Sequence, residues 1–361
     1  MRRCLEGAWI SSAGPFVEEF ETAWAAYCGR VHGVAMSNGS AALQAAVAAL
    51  GLDAGDEVVM PSFTIISCAT AVLAVGATPV LVDCDPRTWC MDVDHVRGRL
   101  SGRTRAIMPV HIYGHPVDMD PLLEIAEARG LTVLEDAAEA HGAEYLTGQG
   151  PSTPTWKRCG SFGDLSCFSF YANKIVTTGE GGMVLTDDDG LARRLRSLRN
   201  LGFDPERRFV HDELGFNFRL TNLQAAVGVG QIERVDETVA RKREVAARYT
   251  ERLRDLDGLQ LPVQEPWARN VYWMYGVVVD EETGLDAATF SDRLSREGVE
   301  TRPFFVGMHE QPVFRRRGLF DGESYPVAER LARQGVYLPS GTAITDAQVD
   351  AVCGAVARVL A

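Results

Sequence analysis

Short apolar runs alternate with helix-type patterns from residue 33 to residue 200, and this alternation is the strongest constraint on the fold. Apolar runs separated by helices indicate a parallel sheet with crossover helices. The chain is therefore expected to adopt an α/β fold. The predicted strands cover residues 33–36, 57–61, 78–82, 105–112 and 131–134, and the predicted helices cover residues 41–50, 65–75 and 121–130.

The predicted strand at 131–134 leads directly into Glu135 and Asp136. The helix before it should be capped by Asp120 and end at Gly130, because aspartate often caps helix N-termini and glycine often follows their C-termini. Open α/β sheets bind ligands at the carboxyl ends of their strands. Glu135 and Asp136 are thus candidates for a site at this edge of the sheet.

The remainder of the chain predicts a second, smaller unit. Residues 147–160 carry turn formers without periodicity and predict a surface loop. Residues 222–256 have helical spacing, with Leu223, Val227, Ile232 and Val235 on one face, and predict one long helix between two domains. We expect a large α/β domain over residues 1–240 and a small α+β domain over residues 241–361. The elements predicted in the latter are a strand at 271–279 and helices at 287–297 and 346–360.

Composition narrows the possible partners. The 361 residues carry a formal net charge of -13, which repels a phosphate backbone, so nucleic acid is not an expected partner. No run of about 18 apolar residues occurs, so no membrane association is expected. The eight cysteines form no C-x-x-C pair, which favours small core residues in a reducing, cytoplasmic compartment. No metal site is expected, because Gly114 and Pro116 would break a helix carrying His111 and His115.

Lys174 lies between a short apolar run and a glycine-rich turn. A partly buried lysine has a lowered pKa and can act as a nucleophile that forms a Schiff base. Taken by itself, Lys174 favours the simpler interpretation of an ordinary lysine at a strand end. Asp136 changes this balance, because pyridoxal phosphate stores electrons best when its ring nitrogen is protonated and paired with a carboxylate. The alternative for Asp136 is that it caps the next turn.

The segment 37–41 offers a place for the phosphate of such a cofactor. Its small residues precede a predicted helix, and the N–H groups at a helix start bind anions. Ser169 could add a hydroxyl group. A simple N-cap at 37–41 and a strand serine at 169 are the alternative interpretations.

Several motifs together resemble the DegT family of PLP-dependent sugar-nucleotide aminotransferases, nearly from end to end of the chain. The most specific are the segments around Asp136 and Lys174. The further matching segments are residues 9–15, 37–40, 61–64, 109–116, 215–224, 308–312 and 338–341.

This resemblance implies a fold-type I PLP-dependent transferase that forms a homodimer with shared active sites. It implies that Lys174 forms the Schiff base and carries the proton, and that Asp136 pairs with the pyridinium nitrogen. Glu139 would lie near the 3′-oxygen of the cofactor, and Ile65 would cover the ring where the family usually has an aromatic residue. The implied phosphate contacts are Gly39, Ser40, Ala41, Ser169 and, from the neighbouring subunit, Asn217.

The resemblance also implies substrates. Trp9, Arg219 and His309 are expected substrate contacts, although a structural ion pair and a capped loop histidine are alternatives for the last two. The amino donor would be L-glutamate, and the expected acceptor is GDP-4-keto-6-deoxymannose, aminated at C4. A 3-keto sugar nucleotide, a cyclitol ketone and a non-catalytic PLP-binding regulator are the alternatives. Trp156 and its two basic neighbours could contact the nucleotide or simply lie on the surface.

Overall fold

The computed structural model describes residues 1–148, 153–204, 207 and 209–361. Its strands are β1 (His32–Met36), β2 (Glu57–Pro61), β3 (Thr78–Val82), β4 (Thr104–Ile107), β5 (Thr132–Asp136), β6 (Glu144–Thr147), β7 (Thr155–Arg158), β8 (Leu165–Ser169), β9 (Gly182–Thr186), β10 (Leu259–Gln260), β11 (Ala268–Arg269), β12 (Tyr275–Val279), β13 (Arg302–Pro303) and β14 (Gly335–Leu338). Its α-helices are α1 (Arg2–Glu6), α2 (Pro15–Cys28), α3 (Gly39–Ala49), α4 (Ser67–Ala74), α5 (Val93–Arg99), α6 (Met119–Arg129), α7 (Asp189–Arg199), α8 (Asn222–Ile232), α9 (Val235–Leu253), α10 (Ala287–Arg296), α11 (Pro312–Arg315), α12 (Pro326–Gln334) and α13 (Asp346–Leu360). Short 3-10 turns cover Ile112–Gly114, Glu281–Thr283 and Met308–Glu310.

The main sheet has seven strands in the order β1-β9-β8-β5-β4-β2-β3. Strand β9 is antiparallel to both of its neighbours, and all other adjacent pairs are parallel. Every residue of β2, β8 and β9 is buried, as expected for a sheet covered on both faces. The predicted α/β class with a mostly parallel sheet is confirmed.

The C-terminal part has its own antiparallel sheet, in the order β10-β12-β14-β13. A separate apolar cluster runs from α9 to α13 and includes the buried rings of Tyr249, Tyr275 and Phe290. This arrangement is the smaller α+β part that the fold class predicted. The boundary between residues 240 and 241 stays a prediction, and α9 runs across it.

Several predicted elements differ from the observed ones. Asp120 is not the N-cap of α6: the helix begins at Met119 after Asp118, and the Asp120 carboxylate instead accepts hydrogen bonds from the Thr147 hydroxyl and the Gly148 N–H. The predicted strand at 271–279 begins only at β12. Asn270 accepts a hydrogen bond from the Tyr272 N–H, and Tyr272 has a positive φ of 48°, so a turn precedes the strand.

The single long helix predicted over 222–256 is also wrong. The chain forms α8 and α9 with a break at Arg234, whose backbone leaves the helical region. The two helices pack on different partners, since α8 contacts α2 whereas α9 contacts α13. One straight helix could not pack against both α2 and α13.

The loop predicted over 147–160 contains ordered strand structure on both sides of residues 149–152, which lie outside the described residues. β6 and β7 pair antiparallel, and β11 joins them in a three-stranded sheet. Trp156 lies under the Arg269 guanidinium at 4.0 Å, and Arg158 lies over the Tyr27 ring at 3.9 Å. These contacts within the chain favour a surface role for the segment.

All eight cysteines are buried and none forms a disulfide, as predicted for small core residues. No helix among the described residues is long and apolar enough to traverse a bilayer.

The carboxylate of Glu135, near the end of β5, holds the surrounding loops by hydrogen bonds. It is fully buried and accepts hydrogen bonds from the N–H groups of Gly160, Phe162 and Gly163 at 2.7 Å and from His111 Nε2 at 3.0 Å. Burial raises the pKa of Glu135, but the hydrogen bonds from His111 and the backbone outweigh it and hold the pKa below its ordinary value of 4.5.

Glu135→Ala is therefore expected to lower the free energy of unfolding by about 3–5 kcal/mol at pH 7, because buried donors lose their acceptor. Urea unfolding followed by circular dichroism measures this loss. Glu135→Gln keeps one acceptor oxygen and should lose less. Since the pKa of Glu135 is lowered in the folded state, its stabilising effect is complete above pH 4.5 and is lost as the pH falls through the folded-state pKa. The difference in the free energy of unfolding between the wild type and Glu135→Gln should therefore decrease as the pH falls. Equal free energies of unfolding at pH 7 would contradict a stabilising role for the Glu135 carboxylate.

Candidate active site

Lys174 lies in the turn after β8, with its N–H bonded to the Tyr171 carbonyl at 2.9 Å. Its Nζ is 3.5 Å from the centroid of the Trp273 ring and 3.7 Å from Glu139 Oε1. Trp273 is itself fixed, because its Nε1 donates a hydrogen bond to the Asn173 carbonyl at 2.8 Å. The amine is thus held by an aromatic face and a carboxylate.

The environment of Lys174 favours a reactive amine. Burial lowers the pKa of Lys174, while the Glu139 and Asp136 carboxylates raise it and reduce the shift. Glu139 is 5% exposed and accepts a hydrogen bond from the Tyr113 N–H at 2.7 Å. Burial raises the pKa of Glu139 to about 7, so this carboxyl group can gain or lose a proton near neutral pH.

Asp136 ends β5 and is 2% exposed. Its Oδ1 accepts a hydrogen bond from the Ala138 N–H at 3.0 Å, and its Oδ2 accepts one from the Cys68 thiol at 3.2 Å. Burial raises the pKa of Asp136 despite these donors. A buried carboxylate with only a peptide N–H and a weak thiol donor is a suitable partner for a protonated ring nitrogen.

The start of α3 forms a cradle with the end of β8. A Cβ at Gly39 would lie 2.7 Å from Ser169 Cβ, so only glycine fits beside this serine. The first N–H groups of a helix have no acceptor within it, and they favour an anion. The Ala41 N–H already donates to the Asn38 side chain at 2.8 Å, so the structure favours Gly39 and Ser40 over Ala41 as donors.

These groups fit the two ends of pyridoxal phosphate. The buried Asp136 carboxylate suits the ring nitrogen, and the start of α3 at Gly39, beside the Ser169 hydroxyl, suits the phosphate. The Ser40 hydroxyl lies 2.7 Å from the Ser67 hydroxyl. Ile65 is 39% exposed and offers an apolar side chain at the approach to α4. The contact of Ile65 with the ring stays a prediction. The described residues contain no cluster of three or more histidine, cysteine or carboxylate side chains able to hold a metal ion.

A cavity of about 820 Å³ opens beside Lys174. We call it the Lys174 cavity. Its charged and aromatic lining residues are Lys174, Arg234, Glu237, Arg241, Lys242, Trp273, Glu300, Arg302 and Tyr337.

The predicted substrate contacts Trp9 and Arg219 do not line this cavity, and neither does Asn217, the predicted phosphate contact. Trp9 is 59% exposed, and its carbonyl accepts a hydrogen bond from the Asn222 side chain. Asn217 is exposed and forms a backbone bridge with Asn200. Arg219 donates a hydrogen bond to Asn200 Oδ1 at 2.8 Å. Their roles, including that of Asn217 in a neighbouring subunit, stay predictions.

His309 is held inside the chain. It is 2% exposed, with Nδ1 2.8 Å from the Ser62 hydroxyl and Nε2 3.1 Å from Glu329 Oε1. Both ring nitrogens therefore have internal partners. This geometry favours the capped loop histidine over a substrate contact.

Sequence analysis missed three contributors to the site. These are Trp273, Cys68, which was predicted only as a core cysteine, and Lys242. Lys242 had no local signal at all, because its burial depends on the packing of α9 against the loop after β14.

Known proteins with similar sequences identify the family of this chain. The DegT/DnrJ/EryC1/StrS aminotransferase family matches residues 1–357. This chain belongs to that family. GDP-perosamine synthase of Caulobacter vibrioides is 44% identical over 99% of this chain and 93% of its own length.

Two further relatives cover the family more broadly. The dTDP-3-amino-3,4,6-trideoxy-alpha-D-glucose transaminase of Streptomyces venezuelae is 38% identical over 95% of this chain and 86% of its own length. The crystal structure of S. venezuelae DesV in complex with a ketimine intermediate has a TM-score of 0.91 and 36% identity, covering 99% of this chain and 92% of that one. The fold and the aminotransferase class predicted from the sequence are both confirmed.

Glu139→Gln is expected to lower the pKa of the Lys174 amine, because the carboxylate at 3.7 Å favours the ammonium form. Lys174 should then be carbamylated faster by cyanate at pH 8, since only the neutral amine reacts. Mass spectrometry of the Lys174 peptide measures the rate. Glu144→Gln, which removes a surface carboxylate paired with Arg269, is the matched control and should leave the rate unchanged. An equal rate in Glu139→Gln and the wild type would contradict the coupling.

Proposed function

We propose that this aminotransferase uses pyridoxal phosphate to transfer the amino group of L-glutamate to a nucleotide-linked keto-deoxysugar. The proposed acceptor is GDP-4-keto-6-deoxymannose, aminated at C4 to give GDP-perosamine. The observation that carries the proposal is the buried Lys174 amine, held between Glu139 and Trp273 and close enough to Asp136 for the two charges to interact. The name of the Caulobacter relative supports the choice of acceptor.

Each residue has a separate task in this proposal. Asp136 would hold a proton at the ring nitrogen, and the Gly39 and Ser40 N–H groups with the Ser169 hydroxyl would hold the phosphate. When bound, the cofactor supplies an electron-withdrawing ring that stabilises negative charge at the substrate carbon. Lys174 Nζ would take the proton from the Cα of the amino donor.

Glu139 supports this proton transfer. At 3.7 Å from Nζ, its carboxylate favours the ammonium that forms when Lys174 accepts a proton. Because burial raises the pKa of Glu139 to about 7, the same group can also carry a proton in the second half of the reaction. Trp273 holds the amine by its ring face and excludes water from it.

A 3-keto sugar nucleotide is the second candidate acceptor. The Streptomyces relative, whose name specifies a 3-amino sugar, supports it. The two acceptors carry the ketone at different carbons, and the amino group replaces that ketone oxygen, so each acceptor must be supplied separately to distinguish them.

The purified protein with pyridoxal phosphate, L-glutamate and GDP-4-keto-6-deoxymannose is expected to give a 4-amino sugar, identified by NMR. Lys174→Ala should reduce turnover by more than about 100-fold, because the proton carrier is lost. Borohydride reduction should attach the cofactor to Lys174 in the wild type and in Lys157→Ala, but not in Lys174→Ala. Lys157→Ala, a surface lysine on β7, is the matched control. No amination of this 4-keto sugar, with amination of a 3-keto sugar nucleotide instead, or turnover preserved in Lys174→Ala, would contradict the proposal.

A homodimer with shared sites is part of the proposal. Asn217, exposed in one chain, would reach the phosphate of its partner. The unbonded cysteines are consistent with the proposed cytoplasmic location.

Co-expressed Lys174→Ala and Asn217→Ala chains with different tags test this sharing. If Asn217 acts across the interface, the purified heterodimer should keep about half of the wild-type activity, because one of its two symmetric sites retains both residues. Each homodimeric variant should be much less active. A heterodimer no more active than the homodimeric Asn217→Ala enzyme would place Asn217 in its own subunit's site, or in none.

A further inference from the structure

Lys242 is a buried cation without an anionic partner. It lies on α9, is 6% exposed and donates hydrogen bonds to the carbonyl and hydroxyl oxygens of Ser340, the latter at 3.4 Å. Both acceptors are neutral. No carboxylate among the described residues forms an ion pair with it, which is an unfavourable state for a buried ammonium.

The other cations of the Lys174 cavity all have carboxylate partners. Lys174 has Glu139 at 3.7 Å, and Arg302 has Glu300 at 3.3 Å. The remaining pairs are Arg234 with Glu237 at 2.9 Å and Arg241 with Glu244 at 3.2 Å and Asp346 at 3.5 Å. Among the described lining residues, Lys242 is thus the cation whose charge is left for a ligand.

The cavity also indicates what kind of anion fits. Glu237 and Glu300 also line this space, but each is already paired with an arginine, so Lys242 supplies the one positive charge without a carboxylate partner in the part of the lining that the structure describes. One carboxylate group matches this single ammonium, whereas a diphosphate brings at least two negative charges to it. An amino acid that reacts at Lys174 must carry a carboxylate into this cavity.

We propose that Lys242 is a binding residue of the Lys174 cavity, where its ammonium receives a carboxylate of the amino-acid donor. This inference rests on the proposed transamination for the identity of the ligand. Lys242 positions the donor and takes no part in the proton transfer. Ser340 orients the ammonium, and its own hydroxyl is fixed by the Tyr275 N–H at 3.2 Å.

The bound anion should also change the protonation of Lys242. Burial lowers the pKa of Lys242 to about 7, so much of it is neutral at pH 8. A carboxylate beside it favours the ammonium and raises its pKa, so binding at pH 8 should take up a proton. The other titratable groups that line the cavity are Lys174, Glu237, Glu300 and Tyr337, with Glu139 beside Lys174, and all are unchanged in a variant of Lys242.

Glutarate, a dicarboxylate that has no amino group to transfer, is a suitable probe. Isothermal titration of the pyridoxal phosphate-saturated enzyme at pH 8, in two buffers of different ionisation enthalpy, gives both its Kd and its proton uptake. Lys242→Met should raise the Kd at least about tenfold, the loss of one charge-assisted hydrogen bond, and should reduce proton uptake. Lys242→Arg should keep much of the affinity without the uptake, since arginine stays protonated.

Controls separate this role from a structural one and from another ligand. Arg234→Met removes a cation of the same cavity that already has a carboxylate partner, and it should leave the glutarate Kd unchanged. The Tm of Lys242→Met should be no lower than that of the wild type, because a buried unpaired charge is removed. An unchanged glutarate Kd in Lys242→Met would overturn the proposal, and a lowered Tm with it would assign Lys242 to holding the Ser340 loop.

A measurement of GDP binding tests whether Lys242 contacts a phosphate instead. Weakened GDP binding with unchanged glutarate binding in Lys242→Met would overturn the proposal in favour of a phosphate contact. A wild-type enzyme that binds glutarate through Lys242 but aminates no keto sugar would refute the proposed acceptor and leave the carboxylate site standing.

Discussion

The buried carboxylate of Glu135 is the interaction on which the rest of the site depends. It collects three peptide N–H groups from the loop before β8 and the Nε2–H of His111, whose Nδ1 accepts the Val117 N–H. Successive side chains of a strand point to opposite faces. Glu135 can therefore form hydrogen bonds with the surrounding loops on one side of β5, while Asp136 faces the candidate site on the other side.

A second constraint is the enclosure of an amine with carboxylates in an apolar setting. Burial disfavours every charged form in this region, lowering the pKa of Lys174 and raising those of Glu139 and Asp136. Their mutual attraction opposes these shifts. Burial prevails in each case, and it brings the pKa of Glu139 to about 7, where this carboxyl group can gain or lose a proton near neutral pH.

The sequence predicted the parts of the structure that local chemistry determines. The final helix was predicted over 346–360 and is observed as α13 with those bounds, because Thr345 and Gln348 form a capping box and the apolar spacing is regular. The buried parallel strands were recognised from their continuous apolar runs. Asp136 and Lys174 were found through their motifs, and the structure couples the two through space.

What escaped prediction depends on packing between distant segments. The ring of Trp273 contacts the amine from the bend between β11 and β12, and no periodicity in the sequence indicates such a contact. Lys242 reads in the sequence as one charge on an amphipathic helix, and only the docking of α9 against Ser340 buries it. The break between α8 and α9 arises for the same reason, since each helix packs on a different partner.

The close approach of Gly39 to Ser169 has a consequence for how the protein matures. Gly39 follows β1 and Ser169 ends β8, and β9 lies between these strands in the sheet. The proposed phosphate site therefore forms only after a later segment of the chain has inserted between two earlier ones. Such long-range closure is slow and entropically costly. Affinity for the proposed cofactor would therefore depend on whether β9 has joined β1 and β8. A nascent chain that still lacks β9 would not yet have formed this phosphate site.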